Sequence, residues 1–201
     1  VKIEALAVPD AWSLTPVEHR DSRGGFLEWF RSDLLTAATG RRFAVVQANH
    51  SVSRRGVVRG VHFSDVPPGQ AKLVYCPVGA VLDVVVDIRV GSPTFGAVDS
   101  VVLDDVAHRA VFVSEGLGHA FCALRDDSSA TYLVSSGFNP ATEHTVSALD
   151  PSIAALWPFD ADDLVLSDKD AAAPSLDAAA RAGLLPDFAA VTARYAELRC
   201  D

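Results

Sequence analysis

No apolar run in this chain approaches the roughly 18 residues that a membrane-spanning helix needs. The N-terminal stretch "VKIEALAVPDAW" has neither the basic start nor the long apolar core of a signal peptide. Cysteine is scarce: Cys76, Cys122 and Cys200 are far apart, odd in number and form no C-x-x-C. That pattern excludes a disulfide framework and suits reduced thiols in a cytoplasmic protein. Cys76 and Cys122 fall in apolar, strand-like runs and read as small core residues. Also missing are the H-x-H and H-E-x-x-H spacings of transition-metal centres, which argues against a metal. There is no G-x-G-x-x-G, no P-loop and no G-x-S-x-G. No basic stripe is interleaved with aromatics, and the formal charge is −9. Nucleic acid and anionic membranes are therefore unsuitable partners, although a local basic pocket for phosphate stays open. Lysine is rare too, with only Lys2, Lys72 and Lys169 among seventeen basic residues.

What is present is a globular composition, 49% hydrophobic and 21% charged over 201 residues. One domain over 1–201 fits that length. From about residue 43 to 135 the chain reads as short β-prone runs, among them "FAVVQANHSV", "GVVRGVHF", "AKLVYCPV", "AVLDVVVDIRV" and "ATYLVSS". Turn residues break them at Pro67–Gly69, Gly91–Pro93, Asp104–Asp105 and Asp126–Asp127. Such spacing predicts an antiparallel sandwich or barrel, with a β core over about 15–160. Helix signals sit at the ends. Ser32 is placed to cap "DLLTAAT" and Ser175 to cap "LDAAARAGLL", with "FAAVTARYAELR" following in a C-terminal helical extension over about 175–201. The acidic pairs at 104–105, 126–127 and 162–163 read as solvated turn tips.

The stretch "RGVVRGVHF" places Arg59 and His62 in an otherwise apolar run. Strict alternation sends them to opposite faces of a strand, and a bulge at Gly60 would bring both to one side. His62 is either a satisfied core histidine or a general base, since imidazole titrates near neutrality. Arg59, Lys72 and His119 keep it company, and cations in apolar strands imply an anionic ligand such as a nucleotide diphosphate. In "VLDVVVDIR", Leu82, Val84, Val86 and Ile88 share one face, and Asp83, Val85, Asp87 and Arg89 the other. Asp87 and Arg89 can pair. Asp83 needs a donor from elsewhere, and a histidine is the obvious candidate.

The ordered set "DSRGGFLEWF", "QANHSVS", "RGVVRGVHF", "AKLVYCPVGAVLDVVVDIRVGSPTFG", "GLGHAF", "TYLVSSGFNPATEH" and "LSDKD" resembles the dTDP-4-dehydrorhamnose 3,5-epimerase family over about 15–174. "PPGQAK" and "GLGHAF" are similar to members of its antibiotic-deoxysugar branch. The resemblance implies a mainly β, cupin-type antiparallel jelly-roll barrel with a few peripheral helices, mostly C-terminal. It implies a cytoplasmic homodimer without metal or cofactor, acting on a dTDP-4-keto-6-deoxy sugar nucleotide. The reaction would be epimerisation beside the C4 ketone. By resemblance His62 is the base, oriented by Asp170, and Tyr132 is the acid. Lys72 would stabilise the enolate, and His119 with Asp83 would form a second pair. Arg23, Phe26 and Glu28 would hold the nucleotide, often of a neighbouring subunit, while Gln47, Asn49, Arg59, Glu143 and Lys169 match further binding positions. Phe138 stands where the family usually has a tyrosine that stacks on thymine, so the ring is kept and the hydroxyl lost. Ser64 stands where a glutamine is common. A ketoisomerase, a noncatalytic sugar-nucleotide-binding cupin and a metal-dependent cupin are the alternatives.

Overall fold

Alternating side chains give each central strand two distinct faces, and in the computed structural model both faces of both large sheets are used. The structure describes residues 1–200. In chain order the elements are β1 (Lys2–Ala5), β2 (Ala11–Thr15), β3 (Glu18–Asp21), β4 (Gly24–Leu27), α1 (Ser32–Thr39), β5 (Gln47–Ser53) and β6 (Val58–Ser64). Next come β7 (Lys72–Val78), β8 (Ala80–Val86), β9 (Val98–Asp104), β10 (Ala110–Val113), β11 (Gly118–Ala123), β12 (Ser128–Val134) and β13 (Glu143–Thr145). The short helices α2 (Pro151–Ala154), α3 (Asp168–Ala171) and α4 (Leu176–Arg181) precede the longer α5 (Phe188–Glu197).

One sheet runs β1-β2-β10-β7-β12-β5 and the other β13-β6-β11-β8-β9. Neighbouring strands within them are antiparallel, while β3 and β4 form a hairpin of their own. This is the expected jelly-roll sandwich. The β body, however, starts at Lys2, ahead of the residue-15 start that the sequence suggested, because "KIEA" pairs with "AWSLT" and extends the sheet.

Three apolar layers result. Val74, Cys76, Val81, Val85, Val111, Phe121 and Ala130 fill the space between the sheets. Leu14, Leu35, Leu73, Ala110 and Phe112 pack outside the six-stranded sheet under α1. Val58, Val61, Phe63, Val84, Val86 and Ile88 pack outside the five-stranded sheet against Ile153, Trp157, Leu176 and Ala179. The purely apolar face of β8 is thus roofed by the C-terminal segment, and the mixed face carrying Asp83 points into the sandwich. Burying that roof removes enough apolar area to stabilise by about 1.5–3 kcal/mol per large side chain.

Helix capping follows the sequence in part. Ser175 caps α4 by accepting from Ala178 N at 3.2 Å. Ser32 does not cap α1; it is the first helical residue, and Arg31 occupies the extended cap position without a side-chain bond. Asp33 supplies the favourable charge of the first turn and holds the Arg31 guanidinium.

Beyond the end of β8 Arg89 is fully buried. Its guanidinium meets both Asp87 oxygens at 2.8 Å and Asp10 Oδ2 at 2.7 Å. Burial works against the Asp87 charge, but Arg89, Ser92 and Thr94 outweigh it and hold the carboxyl at about 2. Asp10 also takes Arg41, whose guanidinium lies 3.7 Å over the Tyr195 ring, fastening α5 to the barrel. Replacing Arg89 by Met leaves the buried Asp87 without its cation and is expected to cost about 3–5 kcal/mol in urea unfolding. A loss within experimental error would mean that this network contributes nothing net.

Candidate active site

The site forms where the inner faces of the two sheets open at one end. On the six-stranded sheet, period two brings Gln47 and Asn49 of β5, Lys72 of β7 and Tyr132 of β12 to the inner face. There Tyr132 is in register with Asn49 and Val74. The five-stranded sheet supplies His62 of β6, Asp83 of β8, His119 of β11 and Glu143 of β13. Gln47, Asn49, His62, Lys72, Tyr132, Phe138, Glu143 and Lys169 line one cavity of about 180 Å³. His62 and Tyr132 therefore reach a shared chamber from opposite sheets.

The bulge anticipated at Gly60 is present. His119 pairs with His62 and Phe121 with Arg59, so β6 spends one residue more than β11 between these two rungs. Val58, Val61 and Phe63 face outward while Arg59 and His62 both face inward. Gly60 has φ +124°, and a Cβ there would lie 2.6 Å from the His119 carbonyl oxygen, so only glycine fits. Arg59 donates to Ser53 Oγ at 3.2 Å and lines an adjoining cavity of about 260 Å³ with His62, Lys169 and Asp170.

His62 Nε2 lies 2.7 Å from Asp170 Oδ1, a contact between residues 108 positions apart. Asp170 is only 3% exposed. Burial disfavours its charge, yet the bond to His62, the Ser167 hydroxyl and the Gly60 amide together keep it below the ordinary carboxylate range. Carboxylate on Nε2 leaves Nδ1 as the basic nitrogen of the ring. A second pair lies deeper: His119 Nε2 is 2.8 Å from Asp83 Oδ2, the donor that the sequence required for that carboxylate. Asp83 is 1% exposed and its Oδ1 has no partner. Lys72 is buried close by, in none of the ion pairs among the described residues. Burial lowers its pKa, with Glu143 and then Asp83 pulling the other way. Burial raises the Tyr132 phenol, opposed by Arg59, so the hydroxyl stays protonated at neutral pH.

Phe138 is exposed at the cavity rim and its N–H donates to Gln47 Oε1 at 3.1 Å. Ser64 donates to Glu143 Oε1 at 2.8 Å, so its hydroxyl is spent on holding that carboxylate. The structure does not bring Arg23, Phe26 and Glu28 to the chamber. Arg23 pairs with Asp21 on the β3–β4 hairpin, and Phe26 is 66% exposed there. Gln70 was missed: it lines the chamber and donates to Ser136 O at 2.9 Å. Its position in "PPGQAK", at the end of a turn and two residues before Lys72, was the available signal. The acidic pairs differ. Asp104 holds its turn by accepting from the Val106 and Ala107 amides while half-buried. Asp126 is exposed and accepts from the distant Arg55 amide, and Asp162 and Asp163 are exposed in a short 3-10 turn. Among the described residues no three His, Cys, Asp or Glu side chains gather as a metal site, and no helix is long and apolar enough to cross a membrane.

Fold and site together define a jelly-roll protein with a chamber between its sheets where an imidazole, a phenol and a buried ammonium meet. A family model described as dTDP-4-dehydrorhamnose 3,5-epimerase matches residues 5–178. The dTDP-4-dehydrorhamnose 3,5-epimerase of Mycolicibacterium smegmatis is 55% identical over 194 residues, 96% of this chain and 95% of that protein. The solved rmlC epimerase of Mycobacterium tuberculosis superposes with a TM-score of 0.94 at 50% identity, covering 99% of this chain and 100% of that one. A 3'-monoepimerase from Streptomyces bikiniensis, solved in complex with dTDP-quinovose, superposes with a TM-score of 0.92 at 47% identity over 98% of both chains. The chain belongs to the dTDP-4-dehydrorhamnose 3,5-epimerase family.

Lys72 is a charge kept in a place that disfavours it. Lys72→Met is expected to stabilise the fold by about 1 kcal/mol, raising the melting temperature by about 2–4 °C. A lower melting temperature would show that the ammonium is stabilising where it sits.

Proposed function

We propose that this protein epimerises a dTDP-4-keto-6-deoxyhexose at a carbon beside the C4 ketone. The observation that carries the reading is the convergence of His62 and Tyr132, from opposite sheets, on one chamber walled by Lys72. A C–H next to a ketone is acidic because its electron pair can delocalise onto oxygen. His62, held by Asp170, takes that proton from one side of the sugar ring and becomes imidazolium. The electron pair moves into the C=C bond of an enolate whose oxygen faces the Lys72 ammonium. Tyr132 then gives its phenolic proton to the same carbon from the other side, and the C=O re-forms. One C–H bond has broken and one has formed with inverted geometry. The imidazolium loses its proton and the phenolate regains one before the next turnover. His119 and Asp83 act behind Lys72, the pair's buried carboxylate helping to keep the ammonium charged.

Arg59 and Lys169 supply positive charge for the diphosphate, with Gln47, Asn49 and Glu143 as polar contacts and the Phe138 ring as a stacking surface for the base. This enzyme requires no metal or cofactor in the reaction as written. The cytoplasm is its setting, in keeping with free Cys76, Cys122 and Cys200.

The test is proton NMR in D2O with dTDP-4-keto-6-deoxyglucose. Deuterium is expected at C3, at C5 or at both. His62→Ala should reduce uptake by at least about 100-fold in protein that still melts cooperatively, at a lower temperature because Asp170 loses its partner. Folded protein that exchanges neither carbon rules out epimerase and ketoisomerase chemistry together and leaves a sugar-nucleotide-binding protein.

The β3–β4 hairpin supports a homodimer in which Arg23, Phe26 and Glu28 complete the nucleotide site of a second copy. It carries an exposed phenylalanine and an arginine at the tip of a two-stranded ribbon that joins neither large sheet. Sedimentation is expected to give a dimer, with Phe26→Ala weakening dTDP binding about 10-fold or more. A monomer with unaltered nucleotide affinity in that variant would dismiss the exchange.

A further inference from the structure

The base depends on Asp170, and Asp170 is far from β6 in sequence, so something must deliver it. Two features do so. A short parallel bridge lays residue 165 beside the start of β6: Val165 N donates to Gly56 O, and Val58 N donates to Val165 O, both at 2.9 Å. Gly56 allows this approach, because a Cβ there would lie 2.6 Å from Asp163 O. The chain then reaches Ser167, whose Oγ accepts from Asp170 N at 3.1 Å and caps the single turn of α3. That hydroxyl also favours the charged form of the Asp170 carboxyl. Without that hydroxyl the turn keeps its bridge to β6 but loses the cap on the backbone amide of the residue that carries the carboxylate.

The turn has a second client. Lys169, the residue before Asp170, lines both the reaction chamber and the adjoining cavity where Arg59 lies. Ser167 lines that adjoining cavity as well. An anion gripped by Lys169 and Arg59 therefore bears on the same one-turn helix that holds the partner of the base.

From this geometry we infer that Ser167 is a positioning residue for catalysis: it locks α3 so that the diphosphate-binding Lys169 and the His62-orienting Asp170 are set by one rigid turn. Ser167 touches no reacting atom, and its effect passes through Asp170. This rests on the epimerase reading for its kinetic arm but not for its spectroscopic one.

Ser167→Ala, Ser167→Gly and Ser167→Thr separate positioning from folding. Glycine is nearly as good a cap as serine but lacks the hydroxyl, whereas threonine keeps it. The expected result is a fall in kcat of about 10- to 100-fold for Ala and Gly, a smaller rise in KM as Lys169 loosens with the turn, and recovery of both in Thr. Gly should melt close to wild type. Without substrate, the downfield imidazole N–H proton that His62 shares with Asp170 should shift or broaden in Ala and Gly and return in Thr. Wild-type kcat and an unchanged imidazole signal in Ser167→Gly would overturn the inference. So would a loss in Ala that tracks its melting temperature alone and is absent in Gly. If wild-type enzyme exchanges no deuterium, the epimerase reading falls, and the imidazole signal still decides the role of Ser167.

Discussion

One additional residue in β6, accommodated at Gly60, decides which side chains of that strand enter the sandwich. An unbroken strand would send Arg59 outward whenever His62 pointed inward, and cation and imidazole would never share a side. The insertion needs a backbone conformation and a closeness to β11 that no side chain permits. Once made, it turns two polar residues into the sandwich while Val58, Val61 and Phe63 stay in the outer layer. The Gly60 amide also favours the charged form of Asp170, so the same irregularity that turns His62 inward favours the carboxylate beside it.

The inner layer pays for function with charge in a dry place. Arg89 shows the settled case, where every lobe of the guanidinium has a partner and the carboxylates around it are satisfied. Lys72 and Asp83 show the unsettled one. Lys72 has its positive charge disfavoured by burial, and Asp83 keeps one oxygen without a partner. An ammonium so placed gains most from negative charge that appears only during a reaction, which is how a preorganised site lowers a barrier.

Covering the five-stranded sheet matters to this chemistry as well as to stability. The segment after β13 packs its apolar residues on the outer face, and in passing it lays Val165 beside β6 and carries Asp170 to His62. The structural roof and the carboxylate that meets His62 are therefore parts of one return path of the chain. Tyr195 and Arg41 fasten the final helix at the far side, next to the turn that leads into His119.

Much of this was legible in the residues. Strand alternation in "VLDVVVDIR", the paired Asp87 and Arg89, the need of Asp83 for a histidine and the suspicion about Gly60 all follow from local pattern and the cost of burying charge. Family-like motifs named Tyr132 and Asp170. Neither could be derived from composition, because a lone strand tyrosine or loop aspartate looks the same in any protein. Gln70 went unnoticed since one amide in a turn carries no periodic signal. The start of the β body was misjudged because β1 is a short edge strand with little apolar patterning of its own. Local sequence thus determined which faces would be apolar, where charge would be costly and where the backbone had to be glycine. Tertiary structure alone decided that two sheets would bring an imidazole and a phenol to one chamber and that a carboxylate 108 residues away would meet that imidazole. Side-chain pattern governs neighbours along the chain, whereas those meetings depend on how distant strands stack.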